Sequence, residues 1–266
     1  MKKQWIIGLG LLAATPALAG NCNARPNLAS PFYMPQQNQW TVQAEAAGSR
    51  GKVRPWKLWD VAADATVGYG ITDEAEVFVS GGNSWKDWKS NGVSNNDGAN
   101  QRWSVGGKYN LFAKSFPILA TVKYLQERGH RLDQNFGAGR GRHGEYKAFE
   151  FDVKKDFCPC KTDYYIGGTA QLPVFQRSDS DNDPKYVAYA GVFQPWTNWL
   201  ATDVRAKYSY DAYTKTRLPS VYGEVSFLPT ESTAIGVFGE QTFAGHTKND
   251  IGARKQKLGV DFKVQF

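Results

Sequence analysis

The sequence predicts an all-β fold: a transmembrane antiparallel up-and-down β-barrel of about 12 strands. Apolar and polar residues alternate along many short stretches, and no stretch shows a convincing helical period. Aromatic residues make up 14% of the chain, yet its mean hydropathy is −0.50. A barrel reconciles these values, because only every second strand residue faces lipid. After residue 19 no apolar run is long enough for a transmembrane helix.

The N-terminus predicts a signal peptide at residues 1–19. Lys2 and Lys3 precede an apolar run at 5–14, and small residues lead to Ala19, after which cleavage is expected. The apolar run is too short to cross a bilayer as a helix. Loss of two lysines would lower the formal charge from +7 to +5. Residues 20–38 are then expected to form an N-terminal segment, and residues 39–266 the barrel.

Twelve alternating stretches account for the expected strands. In chain order they are 40–46, 63–71, 77–79, 103–111, 118–124, 149–153, 164–174, 187–193, 200–208, 221–227, 235–239 and 257–266. The expected short turns are 72–73, 113–116, 157–161, 195–198 and 229–232, and the expected longer loops are 48–59, 85–101, 128–144, 176–184, 211–217 and 244–253. Short turns on one side and longer loops on the other are typical of an outer-membrane barrel.

Charged residues alternate with the apolar residues of these strands. A charge on the lipid face costs about 2–4 kcal/mol near the bilayer midplane, so the charged face should line a lumen. Acidic and basic members are nearly balanced, which suits neutral or zwitterionic solutes, or a weakly selective ion path. An interior closed by salt bridges is the alternative. The expected lumen-lining residues are Glu45, Asp64, Glu76, Arg102, Lys108, Lys123, Glu127, Glu150, Asp152, Lys154, Asp203, Arg205, Lys207, Glu224, Glu240, Lys257, Asp261 and Lys263.

The final strand, KLGVDFKVQF, alternates strictly and ends on Phe266. With the signal peptide and the repeated strands, Phe262 and Phe266 resemble the closing strand of Gram-negative outer-membrane β-barrel proteins of the porin type. The YGITD segment at 69–73 is similar to a strand-turn of small outer-membrane channel families, including those met in hydrocarbon-degradation pathways. The resemblance implies that Phe262, Val264 and Phe266 form an assembly signal recognised by the barrel assembly machinery.

The same resemblance implies export to the outer membrane, with residues 20–38 and the short turns in the periplasm. Outer-membrane lipids and lipopolysaccharide are the expected surroundings, and small-molecule solutes the expected cargo. We expect a channel for passive diffusion of small hydrophilic solutes, with a closed barrel acting as a structural, adhesive or lipopolysaccharide-contacting surface protein as the alternative. No cofactor and no nucleic-acid partner are expected. The sequence does not indicate the solute or the oligomeric state.

No catalytic residue is assigned. The three histidines, His130, His143 and His246, fall in expected loops without the spacing of a metal site or catalytic motif. Asp179, Asp181 and Asp183 form a D-x-D-x-D pattern and are a weak calcium candidate, because neither the glycine nor the glutamate of a calcium loop follows at its position.

A basic loop contains Arg128, Arg131, Arg140 and Arg142. It would suit lipopolysaccharide phosphates or anionic solutes, and a merely solvated loop is the alternative.

The three cysteines predict a disulfide in an oxidising compartment. Cys22 lies in the N-terminal segment, and Cys158 and Cys160 lie in one expected short turn. We expect Cys22 to pair with Cys158 or Cys160 and so to hold residues 20–38 beneath or inside the barrel. A bond between Cys158 and Cys160 is the rival and is geometrically tight. A site with three thiolate ligands for a metal is a more remote alternative.

Overall fold

The computed structural model describes residues 27–53, 56–90, 93–111, 117–129, 144–157, 162–174, 184–212, 216–243 and 254–266. These ranges contain twelve strands. They are β1 Trp40–Val53, β2 Trp56–Thr72, β3 Ala75–Ser90, β4 Val93–Leu111, β5 Ile118–Gly129, β6 Gly144–Asp156, β7 Asp163–Pro173, β8 Lys185–Thr197, β9 Leu200–Asp211, β10 Thr216–Thr230, β11 Thr233–Thr242 and β12 Arg254–Gln265. Among the described residues, no helix is long and apolar enough to cross a membrane.

The strands form one closed antiparallel barrel. Each strand pairs with its neighbours in the chain, and β12 pairs with β1 to close the cylinder. At the closure, Trp40 N donates to Phe266 O at 2.8 Å, and Phe266 N donates to Trp40 O at 3.1 Å. Closure leaves no free strand edge. The predicted fold class is confirmed.

Alternation explains the two faces of the wall. Along β12 the outward residues Leu258, Val260 and Phe262 are exposed, while Asp261 between them is buried. Most strands repeat this pattern, which matches the apolar outer band of a transmembrane barrel. Exposed aromatic residues border the band near the short turns at Trp40, Tyr109, Tyr164, Trp199, Phe227 and Phe266, and toward the other end at Trp59, Trp85, Trp103, Tyr186 and Tyr208. Amphipathic rings prefer such lipid–water boundaries.

The barrel wall is taller on one side than the sequence predicts. The expected loops at 48–59 and 85–101 are wrong as loops, because β1 to β4 continue through most of both ranges. β2 has 17 residues and β4 has 19, whereas β7 has 11 and β11 has 10. The polar and glycine-rich composition of both ranges suggested loops. Continuous pairing such as Gly51 with Leu58 satisfies the backbone there instead.

Residues 27–39, which we call the strap, cross the barrel at the end that carries the short turns. Leu28 and Phe32 are 2% and 1% exposed and belong to one apolar cluster with inward residues from β5 and β7 to β11. At its other end the strap bonds to β2, where Asn38 N donates to Gly70 O at 2.8 Å. Asn38 has a φ of 66°, a left-handed conformation that asparagine tolerates better than most residues.

Candidate functional site: the interior of the barrel

The charged residues expected to line the lumen all share one face of the wall. Each occupies a strand position that alternates with the exposed apolar residues, as Glu76 does with Val77 and Asp203 does with Val204. Because side chains alternate between the two faces of a strand, this face is the interior. The wall therefore collects charges from β1–β6 and β9–β12 around one enclosed space.

Many of these charges pair across neighbouring strands. Lys108 Nζ lies 2.9 Å from Glu76 Oε2, and the two residues are directly opposite each other on β4 and β3. Lys123 and Glu150 repeat the arrangement on β5 and β6 at 2.8 Å. Opposite charges at such positions stabilise a sheet. Two further ion pairs join residues that are not directly opposite each other. Lys257 Nζ lies 2.8 Å from Glu45 Oε1, and Lys207 Nζ lies 3.2 Å from Glu240 Oε2.

Glycine permits some side chains to pair across an intervening strand. Gly82 on β3 lies directly between Asp64 on β2 and Arg102 on β4. A β-carbon on Gly82 would overlap the Asp64 carboxylate. Without it, the Arg102 guanidinium makes two hydrogen bonds to both oxygens of Asp64. Two-point contacts of this kind are among the stronger charged interactions in proteins.

Two tyrosines use glycine in the same way. The Tyr165 ring lies over Gly191 of β8, and its hydroxyl donates to Asp203 of β9 at 2.5 Å. The Tyr189 ring lies over Gly167 of β7, and its hydroxyl donates to Asp152 of β6 at 2.9 Å. Both rings are therefore held along the wall rather than toward the barrel axis.

A fourth glycine gap, at Gly236 of β11, holds two carboxylates. A β-carbon there would overlap Asp261 Oδ1 of β12 and lie 2.9 Å from Glu224 Oε1 of β10. Glu224 accepts hydrogen bonds from Tyr222 and, at 2.8 Å, from Ser226. Asp261 Oδ1 is buried and has no hydrogen-bond partner. This gap therefore differs from the other three, each of which joins a donor to an acceptor.

The strap fills the interior near the short turns. Phe32 meets the ring of Tyr165 edge-on, with centroids 5.6 Å apart, and Lys154 Nζ lies 5.6 Å from the centre of the Phe32 ring. Ser30 Oγ donates to Asp163 Oδ2 at 3.3 Å, and Tyr33 hydrogen-bonds to Gln265. These contacts reach from β7 to β12, on the opposite side of the barrel. The strap consequently obstructs the turn end of the lumen.

The sequence analysis missed the inward tyrosines and the strap. Tyr165 and Tyr189 fall within the expected strands 164–174 and 187–193, but no interior role was predicted for them, and both occupy the interior face of the wall. A usable signal existed, because Gly167 and Gly191 stand at interior positions of adjacent strands. The strap gave only a weak signal in its short apolar stretch, Leu28 to Phe32.

Several predicted residues lie outside the described ranges. They are Cys22, Cys158, Cys160, His130, His143, His246, Arg131, Arg140, Arg142, Asp179, Asp181 and Asp183. The expected disulfide, the calcium candidate and most of the basic loop thus stay predictions. Within the described ranges, no group of three or more His, Cys, Asp or Glu side chains is arranged to hold a metal ion.

Comparison with known proteins reveals likeness of fold. No protein-family model and no curated protein matches the chain. An outer membrane channel from Pseudomonas putida F1 is similar with a TM-score of 0.62 and 10% identity, over 95% of this chain and 100% of that one. The β domain of the Bordetella autotransporter BrkA is similar with a TM-score of 0.59 and 8% identity, over 86% of this chain and 100% of that one. The NanC porin is similar with a TM-score of 0.51 and 8% identity, over 82% of this chain and 98% of that one. The chain therefore has the fold shared by outer-membrane channels and autotransporter β domains.

Proposed function

We propose that the protein is an outer-membrane channel through which small hydrophilic solutes diffuse passively. The observation that carries this proposal is the charged and polar wall that lines most of the interior of a closed barrel. Charged pairs follow the wall on strands that also bear an apolar outer face. A protein whose interior served only for packing would favour apolar side chains there, because burying paired charges adds little stability.

The path would be narrowed by the strap at the turn end. The large side chain of Tyr189 lies flat over Gly167 and hydrogen-bonds to Asp152, so that it extends along the wall. Two of the similar structures are described as an outer membrane channel and a porin, which agrees with this role. Solutes would be selected by the width beside the strap and by the charges on the wall.

A closed barrel that acts as a structural, adhesive or lipopolysaccharide-contacting surface protein is the second candidate. The strap favours it, because Leu28 and Phe32 are almost fully buried and occupy the turn end. A fully seated strap would block exit. The two candidates differ in whether a continuous water path passes beside it.

The test is ion conduction by purified, folded protein in planar lipid bilayers, followed by liposome swelling with sugars, amino acids and nucleosides. Discrete current steps and swelling with at least one solute class would support the channel. Folded protein that produces neither would leave the closed barrel as the function. Folding is checked independently by the shift in electrophoretic mobility on heating.

The proposed surroundings follow from the same role. The apolar outer face would contact outer-membrane lipids and lipopolysaccharide, and Phe262, Val264 and Phe266 would be recognised by the barrel assembly machinery. Phe262 and Phe266 are exposed on this face, at 42% and 68%. No cofactor, catalytic group or nucleic-acid partner is part of the proposal.

A further inference from the structure

One row of the interior wall places three carboxylates side by side. Glu45 on β1 lies directly opposite Asp261 on β12 and directly opposite Asp64 on β2. Like charges at such positions destabilise a sheet unless cations compensate them. Arg102 compensates Asp64, and the other two carboxylates require their own cations.

Only one of those two has a cation from the protein among the described residues. Lys257 Nζ donates to Glu45 Oε1 at 2.8 Å. Asp261 is 7% exposed, and its Oδ1 atom is buried without a hydrogen-bond partner. Lys263, two positions further along the same face of β12, is near enough to attract Asp261 electrostatically, but no salt bridge joins the two side chains among the described residues.

Glu224 adds a second negative charge next to this unpartnered oxygen. Both carboxylates converge on the space over Gly236, where a β-carbon would overlap Asp261 and lie 2.9 Å from Glu224 Oε1. Gly82, Gly167 and Gly191 occupy equivalent gaps, and each of those gaps joins a donor to an acceptor. The gap at Gly236 has two acceptors and therefore lacks a positive partner.

We propose that Glu224 and Asp261 form a binding site for a permeant monovalent cation, a potassium-like ion or a small ammonium group, and that this site makes the channel cation-selective. The selectivity rests on the proposed channel function. Acidic side chains in a pore wall favour cations. A divalent metal site would need several protein oxygen ligands, and among the described residues no group of three or more His, Cys, Asp or Glu side chains is arranged to hold a metal ion. A permeating monovalent cation keeps part of its water shell, so water supplies the ligands that the two carboxylates do not.

The first experiment measures the reversal potential in planar bilayers under a KCl gradient. We expect the unaltered protein to prefer potassium over chloride, and the variant Glu224→Gln with Asp261→Asn to lose that preference. The matched control is Asp60→Asn with Glu127→Gln, which also removes two negative charges from the interior face. We expect the control to lower the preference less. An equal loss in both variants would overturn the site, because general lumen charge would then explain the selectivity.

The second experiment does not depend on conduction. The thermal unfolding of the folded barrel in detergent is compared in KCl and in N-methyl-D-glucamine chloride, whose cation is bulky, at equal ionic strength. A bound cation stabilises the folded state by mass action, so potassium should raise the unfolding temperature of the unaltered protein more than that of Asp261→Asn. No current with a retained potassium effect would refute the channel but keep the site. An identical potassium response in both proteins would refute the site.

Discussion

At the turn end of the barrel an apolar cluster packs between the strap and the wall, with a few charged side chains beside it, whereas in the middle charged side chains pair along the wall. Leu119 and Phe193 are buried against the strap at the turn end. In the middle, Lys123 of β5 and Glu150 of β6 pair on neighbouring strands at 2.8 Å. The difference teaches that one barrel can have a closely packed interior at one depth and a charged interior at another.

The physical reason for the difference is that apolar and charged interior side chains are stabilised by different contacts. Apolar side chains that face water gain about 25 cal/mol for each Å² that is covered, so the turn end needs a filler. Charged side chains can satisfy each other along the wall and keep their remaining contacts with water. The apolar side chains at the turn end therefore need the strap to cover them. In the middle of the barrel, the same strap would remove water from the charged side chains.

The largest effect is expected at the barrel closure, beside the strap. Replacing Phe266 by Asp places a charge where the exposed aromatic side chain would meet the lipid boundary, in the residue that ends the proposed assembly signal. We expect most of the protein to remain unassembled, as measured by heat-modifiable electrophoresis of membrane fractions. The control is Gln256→Asp, at the other end of the same strand. Normal assembly of the Phe266→Asp protein would contradict the assembly role.

The second largest effect is expected when the packing of the strap is disturbed without changing the charged wall. Replacing Phe32 by Ala removes the aromatic side chain at the centre of the strap cluster, and such a truncation destabilises a packed site by about 3–5 kcal/mol. We expect the strap to detach while the charged band stays intact, so the single-channel conductance rises and the ion preference is kept. Gln37→Ala, at an exposed strap position, is the control. Unchanged conductance in the Phe32→Ala protein would mean that the strap does not limit the path.

The predicted disulfide of Cys22 would contribute less to the stability of the folded protein than the packing of Phe32. If Cys22 pairs with Cys158 or Cys160, the bond contributes about 2–4 kcal/mol by restricting the unfolded chain. Alkylation of unreduced, denatured protein followed by mass spectrometry should then leave Cys22 unmodified and label one of the other two. Labelled Cys22 with both Cys158 and Cys160 protected would establish the rival pair instead. The strap reaches Asp163, close in sequence to both partners, which favours the first outcome.

The smallest effect on stability is expected at a single charged pair of the wall, Lys108 with Glu76, which lies near the short turns. Replacing Lys108 by Met leaves Glu76, which is 3% exposed, without its cation, and we expect a loss of about 1–3 kcal/mol. Adding Glu76→Gln should recover most of that loss, because the uncompensated charge is then gone. Urea unfolding in detergent measures both. Additive losses in the double variant would show that the pair is not coupled.

Sequence alternation predicted the fold well because the barrel uses one rule throughout. Every strand has period two, so the identities of interior residues such as Asp203 and Lys207 follow from their exposed neighbours. The lengths of β1 to β4 could not be predicted, since outside the lipid band a strand can be polar on both faces. Polar composition then no longer separates a strand from a loop.

The interior partners were harder to predict than the interior residues. Arg102 pairs with Asp64 two strands away, through a gap that depends on the register of Gly82. Register follows from turns and bulges that a single sequence does not specify, such as the shift between Gly70 and Thr72. The strap was hidden for a related reason, because its contacts are with residues far along the chain.

The strap contacts residues that are far away in the sequence, and these separations affect the order of folding. Ser30 contacts a residue 133 positions later, and Tyr33 contacts one 232 positions later, near the closing edge of β12. The strap precedes the barrel in synthesis, yet its seat does not exist until β5 to β12 are in place. Contacts between such distant parts of a chain form slowly. The earliest described segment to be made must therefore be the last to find its position.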